Sequence, residues 1–304
     1  MSYFSLPILL LSMLSILSRT SPSYGANYLY HFCANTTIPK NSPYKSSLSS
    51  LFSSFSLYAN HNVEFYSPSS SSLTSSLSSN AISKIQISLN ISDPLYGLHI
   101  CRGDVTAEVC RECVEEAAKD LVNRCSRELV AVIWYDECMM RYSNASFFST
   151  ATIRPRVAFL NTQNMTKQEQ FNRQVNMTMT DLASQASNVP AGANKFGVNQ
   201  VNISEFQTLY SLVQCTPDLS NTDCNSCLQT AIIRLPICCG GKQGARVLLP
   251  SCQVRYELYS FYDLVDTIPT PELPPPPPPL SIPPGSPSVP IGKVKHHFIA
   301  FHCW

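Results

Sequence analysis

Cysteines hold most of the reactive chemistry of this chain, and their spacing indicates which reaction they undergo. Five of the 13 recur after a constant shift of 114 positions: Cys101, Cys110, Cys113, Cys125 and Cys138 return as Cys215, Cys224, Cys227, Cys239 and Cys252. Two chemistries are open to such thiols. The Cys-x2-Cys pairs, Cys110 with Cys113 and Cys224 with Cys227, match the close half of a zinc site, but the other cysteines stand at spacings unlike a ribbon or knuckle. Oxidation to disulfides is the better account, and no metal or other cofactor is expected. The first copy, with Cys33 included, has six cysteines, and spacing alone does not rank their possible pairings.

Other side chains offer little catalytic chemistry. The second copy contains no histidine and the first has His31, His61 and His99, which removes any repeated site that uses imidazole as a base. Glu115 and Glu116 are adjacent on a predicted helix and diverge around its axis, so they read as solvated charges. The chain is not expected to be an enzyme.

The elements that must carry the cysteines are written twice. Leu48, Leu51, Phe52, Phe55 and Tyr58 keep helical spacing in the first copy, as do Phe171, Val175, Met179, Leu182 and Ala186 in the second. A further helix is predicted to carry each Cys-x2-Cys pair, from about Thr106 to Arg124 and from about Ser220 to Leu235, where Ser220 and Asp223 resemble a capping box. Runs such as 130–135, 247–249 and 254–262 read as strands. The expected fold is α+β: two tandem modules, residues 26–149 and 150–266, each an antiparallel sheet with two helices. Arg141-Tyr142 also returns as Arg255-Tyr256, so the repeat is more than sulfur.

Residues 1–25 read as a secretory signal peptide, with an apolar core from Phe4 to Leu17 and small residues before Ala26. Six Asn-x-Ser/Thr acceptors, at Asn35, Asn90, Asn144, Asn164, Asn176 and Asn202, agree with an exported glycoprotein. Arg19 is the sole charge among the first 25 residues. Its removal leaves the 21 basic residues one fewer and equal to the 20 acidic ones, which argues against nucleic acid as a partner. The serine-rich 67–79 stretch is expected to be a solvated loop. Residues 267–304 form a proline-rich tail, expected to be disordered, with an unbroken run from Pro274 to Pro279. No segment offers a membrane span.

The frame Cys-x8-Cys-x2-Cys, present as Cys101-Cys110-Cys113 and Cys215-Cys224-Cys227, resembles that of the plant cysteine-rich repeat domains named after ginkbilobin. The resemblance spans both modules. It implies bonds joining Cys33 to Cys125, Cys101 to Cys110, Cys113 to Cys138, Cys215 to Cys224 and Cys227 to Cys252. In module two Leu160 stands where Cys33 would, and Cys238 is added beside Cys239. The partner of Cys239 is open between Cys238, Cys303 and none.

The same resemblance implies a mannose site built from Asn161, Arg246 and Glu257, an amide, a guanidinium and a carboxylate suited to vicinal hydroxyls. Module one has Ala34, Val132 and Ser143 there. An ion pair between Arg246 and Glu257 is the structural alternative for two of the three. The tandem modules and proline tract also resemble the outer part of plant cysteine-rich receptor-like kinases. The expected function is therefore extracellular recognition in the apoplast, of carbohydrate or a cell-surface ectodomain, with a defence role. The alternative is a shortened form of such a receptor without its membrane helix and kinase.

Overall fold

The computed structural model describes residues 26–39, 42, 44–60, 82–87, 95–190, 193–262 and 298–301. Residues 1–25, read above as a signal peptide, the 67–79 stretch, the proline tract, His61, Asn90 and Cys303 lie outside them. Module one contains β1 (Tyr28–Cys33), α1 (Tyr44–Asn60), β2 (Ile82–Ile87), β3 (Leu95–Cys101), α2 (Ala107–Arg124), β4 (Ala131–Tyr135) and β5 (Cys138–Ser143). Module two repeats the plan with β6 (Val157–Asn161), α3 (Gln168–Ser187), β7 (Phe196–Ser204), β8 (Gln207–Cys215), α4 (Asn221–Cys239), β9 (Ala245–Leu248) and β10 (Cys252–Glu257). With a last strand β11 (Phe298–Phe301), the sheets run β1-β4-β5-β3-β2 and β11-β6-β9-β10-β8-β7, and every strand pairing in both is antiparallel. The class is α+β, with two helices per sheet.

Local chemistry accounts for the helices. Segment 44–56 is rich in serine, a poor helix former, and the hydroxyls of Ser49, Ser50, Ser53 and Ser54 bond the carbonyls four residues back, which satisfies them without favouring the helix, so tertiary packing must hold it. Its apolar stripe, Leu48, Leu51, Phe52 and Phe55, is buried against the sheet. Thr106 and Ser220, equivalent under the repeat, cap α2 and α4 by accepting from the amides of Val109 and Asp223. The helix α4 continues through Pro236 to Cys239, past the expected end at Leu235, because Pro236 falls in its last turn, where little of the hydrogen-bond ladder is left to break.

Each sheet has a helix face and a bare face. On the helix faces lie the two module cores, one around Leu51, Phe55, Leu121 and Ile133, the other around Met179, Leu209, Leu228 and Val254. The bare faces meet. Leu98, Ile100, Val132, Trp134 and Met139 of module one form a single apolar cluster with Val157, Phe159 and Leu248 of module two. That contact explains why β5 and β6 are buried on both faces instead of alternating.

The tail departs from expectation. Within 267–304, read from the sequence as disordered throughout, Phe298–Phe301 forms β11 and pairs with β6. Four consecutive apolar residues are too few to read as a strand by alternation, and it is the sheet edge that selects them.

Candidate functional site

Six disulfides staple the modules: Cys33–Cys125, Cys101–Cys110 and Cys113–Cys138 in module one, and Cys215–Cys224, Cys227–Cys252 and Cys238–Cys239 in module two. Backbone register fixes the equivalence of the modules where the sulfur pattern breaks. Cys33 is opposite Ala131 and Leu160 is opposite Ala245, positions related by 114. The next amides, of Ala34 and Asn161, donate to the carbonyls of Val130 and Gly244. Leu160 is thus the apolar substitute for Cys33, and Cys239, left without that partner, is bonded to its neighbour.

The repeated Arg-Tyr pair also has one role twice. Tyr142 donates to the carbonyls of Cys125 and Glu128, and Tyr256 to those of Cys239 and Lys242. Each hydroxyl thus ties the central strand to the helix end and the loop behind it. Arg141 lies over the Phe147 ring at 3.9 Å and Arg255 over Phe261 at 4.0 Å.

Asn161, Arg246 and Glu257 are brought to one end of module two, and all three are buried. Arg246 and Arg255 sit directly opposite each other on β9 and β10. Two like charges in that register repel, and the site needs anions. Glu257 supplies one, with Oε1 accepting from Arg255 Nε at 3.0 Å.

Asp136 supplies the other from the β4–β5 turn of module one. Its Oδ1 lies 3.0 Å from Arg255 Nη1 and 3.3 Å from Arg102 Nη1, and it pairs with Arg246 Nη2. Burial opposes its charge, but the Arg246, Arg255 and Arg102 guanidinium groups hold its carboxyl well below the usual carboxylate range. Arg102 is itself gripped by Asp104 through two bonds of 2.6 and 2.8 Å.

Glu257 is the opposite case. Full burial pushes its carboxyl up to about 7, against the lowering pull of Arg255. Its Oε2 lies against Gly244, where a Cβ would stand 1.8 Å away, so any side chain there must displace the Glu257 carboxylate. Glu257 Oε2 and Arg246 Nη1 meet no hydrogen-bonding partner among the described residues. The Asn161 Oδ1 accepts from the amide of Gln163, and no hydrogen bond joins Arg246 to Glu257.

The residue that sequence reasoning missed is Asp136, whose counterpart under the repeat is Pro250. A signal was available: two arginines facing each other on one hairpin call for an outside carboxylate. Among the described residues no group of three His, Cys, Asp or Glu side chains could hold a metal, and no helix is long and apolar enough to cross a membrane. Of the six sequon asparagines, the five described, Asn35, Asn144, Asn164, Asn176 and Asn202, are all exposed.

These features define a tandem cysteine-rich module protein of the ectodomain type. The family model for salt stress response/antifungal domains matches residues 32–145 and 160–259, and the chain belongs to that family. It is 33% identical to cysteine-rich repeat secretory protein 38 of Arabidopsis thaliana, over 85% of this chain and 95% of that protein. It is 44% identical to an antimicrobial ginkbilobin-2-like protein of Castanea crenata, over 56% of this chain and 70% of that one. Identity to cysteine-rich receptor-like protein kinase 25 of Arabidopsis thaliana is 42% over 97% of this chain, which spans 41% of the kinase. Among solved structures, the tandem DUF26 ectodomain of the Arabidopsis thaliana receptor-like protein PDLP8 matches with a TM-score of 0.60 at 19% identity. That match covers 77% of this chain and 99% of the other, and it shows the shared fold.

Proposed function

We propose that this chain is an extracellular defence protein that acts by binding, with both modules working as one unit and a protein ectodomain as the ligand. The observation that carries this reading is the junction itself. The Asp136 carboxylate fixes module one to the arginine pair of module two. One side chain of the implied sugar site, Arg246, thereby serves to hold the modules together, while Asn161 and Glu257 bond within module two, and recognition falls to the outer surface. That surface presents large apolar side chains, Phe206 at the tip of the β7–β8 turn and Ile233 and Ile237 on α4, which are 93%, 60% and 70% exposed. The family relatives named as secretory and antimicrobial support export and a defence role. The kinase activity in other relatives' names is not carried over: four of the receptor-like kinases that it matches are spanned only to 41%, 36%, 34% and 38% of their length. Surface plasmon resonance against a panel of purified plant receptor ectodomains tests the reading. A saturable partner should be lost at least tenfold on Phe206→Ala or on Ile233→Ser with Ile237→Ser, and mannose should not compete.

A second reading, mannose binding by Asn161, Arg246 and Glu257, is favoured by the two polar atoms there without partners, a donor and an acceptor. It requires a hexose hydroxyl to reach atoms that the protein buries. Calorimetric titration decides it: saturable heat with mannose, abolished by Asn161→Ala in a folded protein, supports this reading.

A further inference from the structure

We propose that β6 is a strand-acceptor edge whose ligand is an extended apolar peptide, and that the chain's own Phe298–Phe301 occupies it in cis.

The equivalence of β1 and β6 carries the argument. β1 ends its sheet, whereas β6 is followed by one more strand, β11, in the antiparallel register Phe298↔Asn161, Ile299↔Leu160, Ala300↔Phe159, Phe301↔Ala158. β1 has what blunts an edge: a register irregularity between Tyr28 and Tyr30, partial exposure along its length, and a covalent tie through Cys33–Cys125.

β6 has none of these. Leu160 replaces the tied cysteine, and both faces of the strand are apolar. Ala158 and Leu160 enter the module-two core, and Val157 and Phe159 enter the cluster between modules. Its remaining row of backbone N–H and C=O groups is therefore bordered by apolar surface on each side. Such an edge takes an added strand through main-chain hydrogen bonds, and the apolar surface on each side selects for apolar side chains.

The tail supplies that strand from a distance. Residues 263–297 separate it from the last residue of module two described before it, Tyr262, a reach of about 110 Å at full extension. That length is enough for the segment to reach β6 of the same molecule, and an intramolecular strand competes with a free peptide at an effective concentration set by its tether. A competing peptide must exceed that, so the tail sets a threshold for occupancy of β6.

The test uses the full chain with Ile299→Pro and Ala300→Pro, because two successive prolines remove the ladder N–H whichever of the two faces β6. The probe is a labelled synthetic peptide of residues 293–304 with Cys303→Ser. The peptide should bind the double variant saturably and the unaltered chain at least tenfold more weakly, and a peptide carrying the same two prolines should bind neither. Hydrogen exchange provides a measurement on the unaltered chain alone: amides of β6 should be protected beyond those of β1, deprotected in the double variant, and protected again when peptide is added. Equal binding to both proteins, no binding to a variant that keeps its circular dichroism, or β6 amides as open as those of β1 in the unaltered chain would overturn the proposal. Protection that appears only at high protein concentration would overturn it too, since the strand would then come from a second copy.

Discussion

The carboxylate of Asp136, on the turn between β4 and β5, lies 3.0 Å from Nη1 of Arg255 on β10 of the other module. It completes a charge set that module two does not balance alone. Arg246 faces Arg255 across the hairpin, and Glu257, the neighbouring acid, has burial working against its charge. Module one has Val132 opposite Arg141 at the equivalent place and so needs no such visitor. The asymmetry between two copies of one scaffold is what makes a specific junction, since identical faces would not distinguish the partner module from another molecule.

Asp136→Ala should therefore loosen the junction without unfolding either disulfide-stapled core. Removing one partner from a buried ion cluster costs roughly 3–5 kcal/mol, and the 26% exposure of the Asp136 side chain places the expected loss near the lower limit, about 3 kcal/mol. Urea unfolding with disulfides intact should change from one transition to two as the modules uncouple. A single transition with an unchanged midpoint would refute the clasp.

Glu257 makes stability depend on pH in a direction unusual for a carboxylate. Its folded pKa, about 7, stands above the unfolded value of 4.5, so its contribution is full below 4.5 and is lost as pH rises through 7. Glu257→Gln should match the parent at pH 4 and exceed it by about 3 kcal/mol above pH 7, the worth of a shift of this size. His99, pushed down to about 3 by burial, contributes stability above 6.5 that is lost as pH falls. It is present in both proteins and cancels in the difference. Urea midpoints measured from pH 4 to 8 give the curve, and a difference independent of pH would refute the assignment.

How much of this the sequence reveals depends on how far apart the partners lie. Apolar spacing carries the helices and strands and the 114-residue shift carries the equivalence of the cysteine-bearing parts of the modules, because those depend on spacing within one copy or between aligned copies. Asp136 and Arg246 are 110 positions apart and belong to different copies, one of them at a place the repeat does not share. No periodicity registers such a pair. Glu257 was singled out with Arg246, but its hydrogen-bonding partner is Arg255, two residues back on the same face of one strand, where alternation alone would have placed it. β11 was illegible for another reason: its pairing is decided by a vacancy on β6 more than 130 residues earlier.

The two tyrosines give a test of the repeat itself. Tyr142→Phe and Tyr256→Phe each remove one buried hydroxyl shared by two carbonyls, and each should cost about 1 kcal/mol. Tyr142 makes bonds of 3.0 and 3.2 Å and Tyr256 of 3.4 and 3.1 Å, so the loss in module one should be at least as large. Chemical denaturation of the two variants measures both. A neutral substitution in either module would mean that the hydroxyl is incidental there.

Leu160 offers a way to restore what module two has lost. It occupies the register position of Cys33, and Leu160 and Cys239 both belong to the module-two core, as Cys125 belongs to the module-one core with Cys33 packed against it. Leu160→Cys combined with Cys238→Ser should bring the new thiol to Cys239 and close the bond that module one has, with a mass two hydrogens below the reduced form and a linked peptide in a non-reducing digest. A bridge of that loop length is typically worth about 2–5 kcal/mol, and the loss of Leu160 packing against the module-two core offsets part of it. The net expectation is a higher urea midpoint than Cys238→Ser alone, because β6 would be anchored covalently as β1 is. Free thiols at both positions in the folded, oxidised protein would show that β6 and the end of α4 are not placed as their counterparts are.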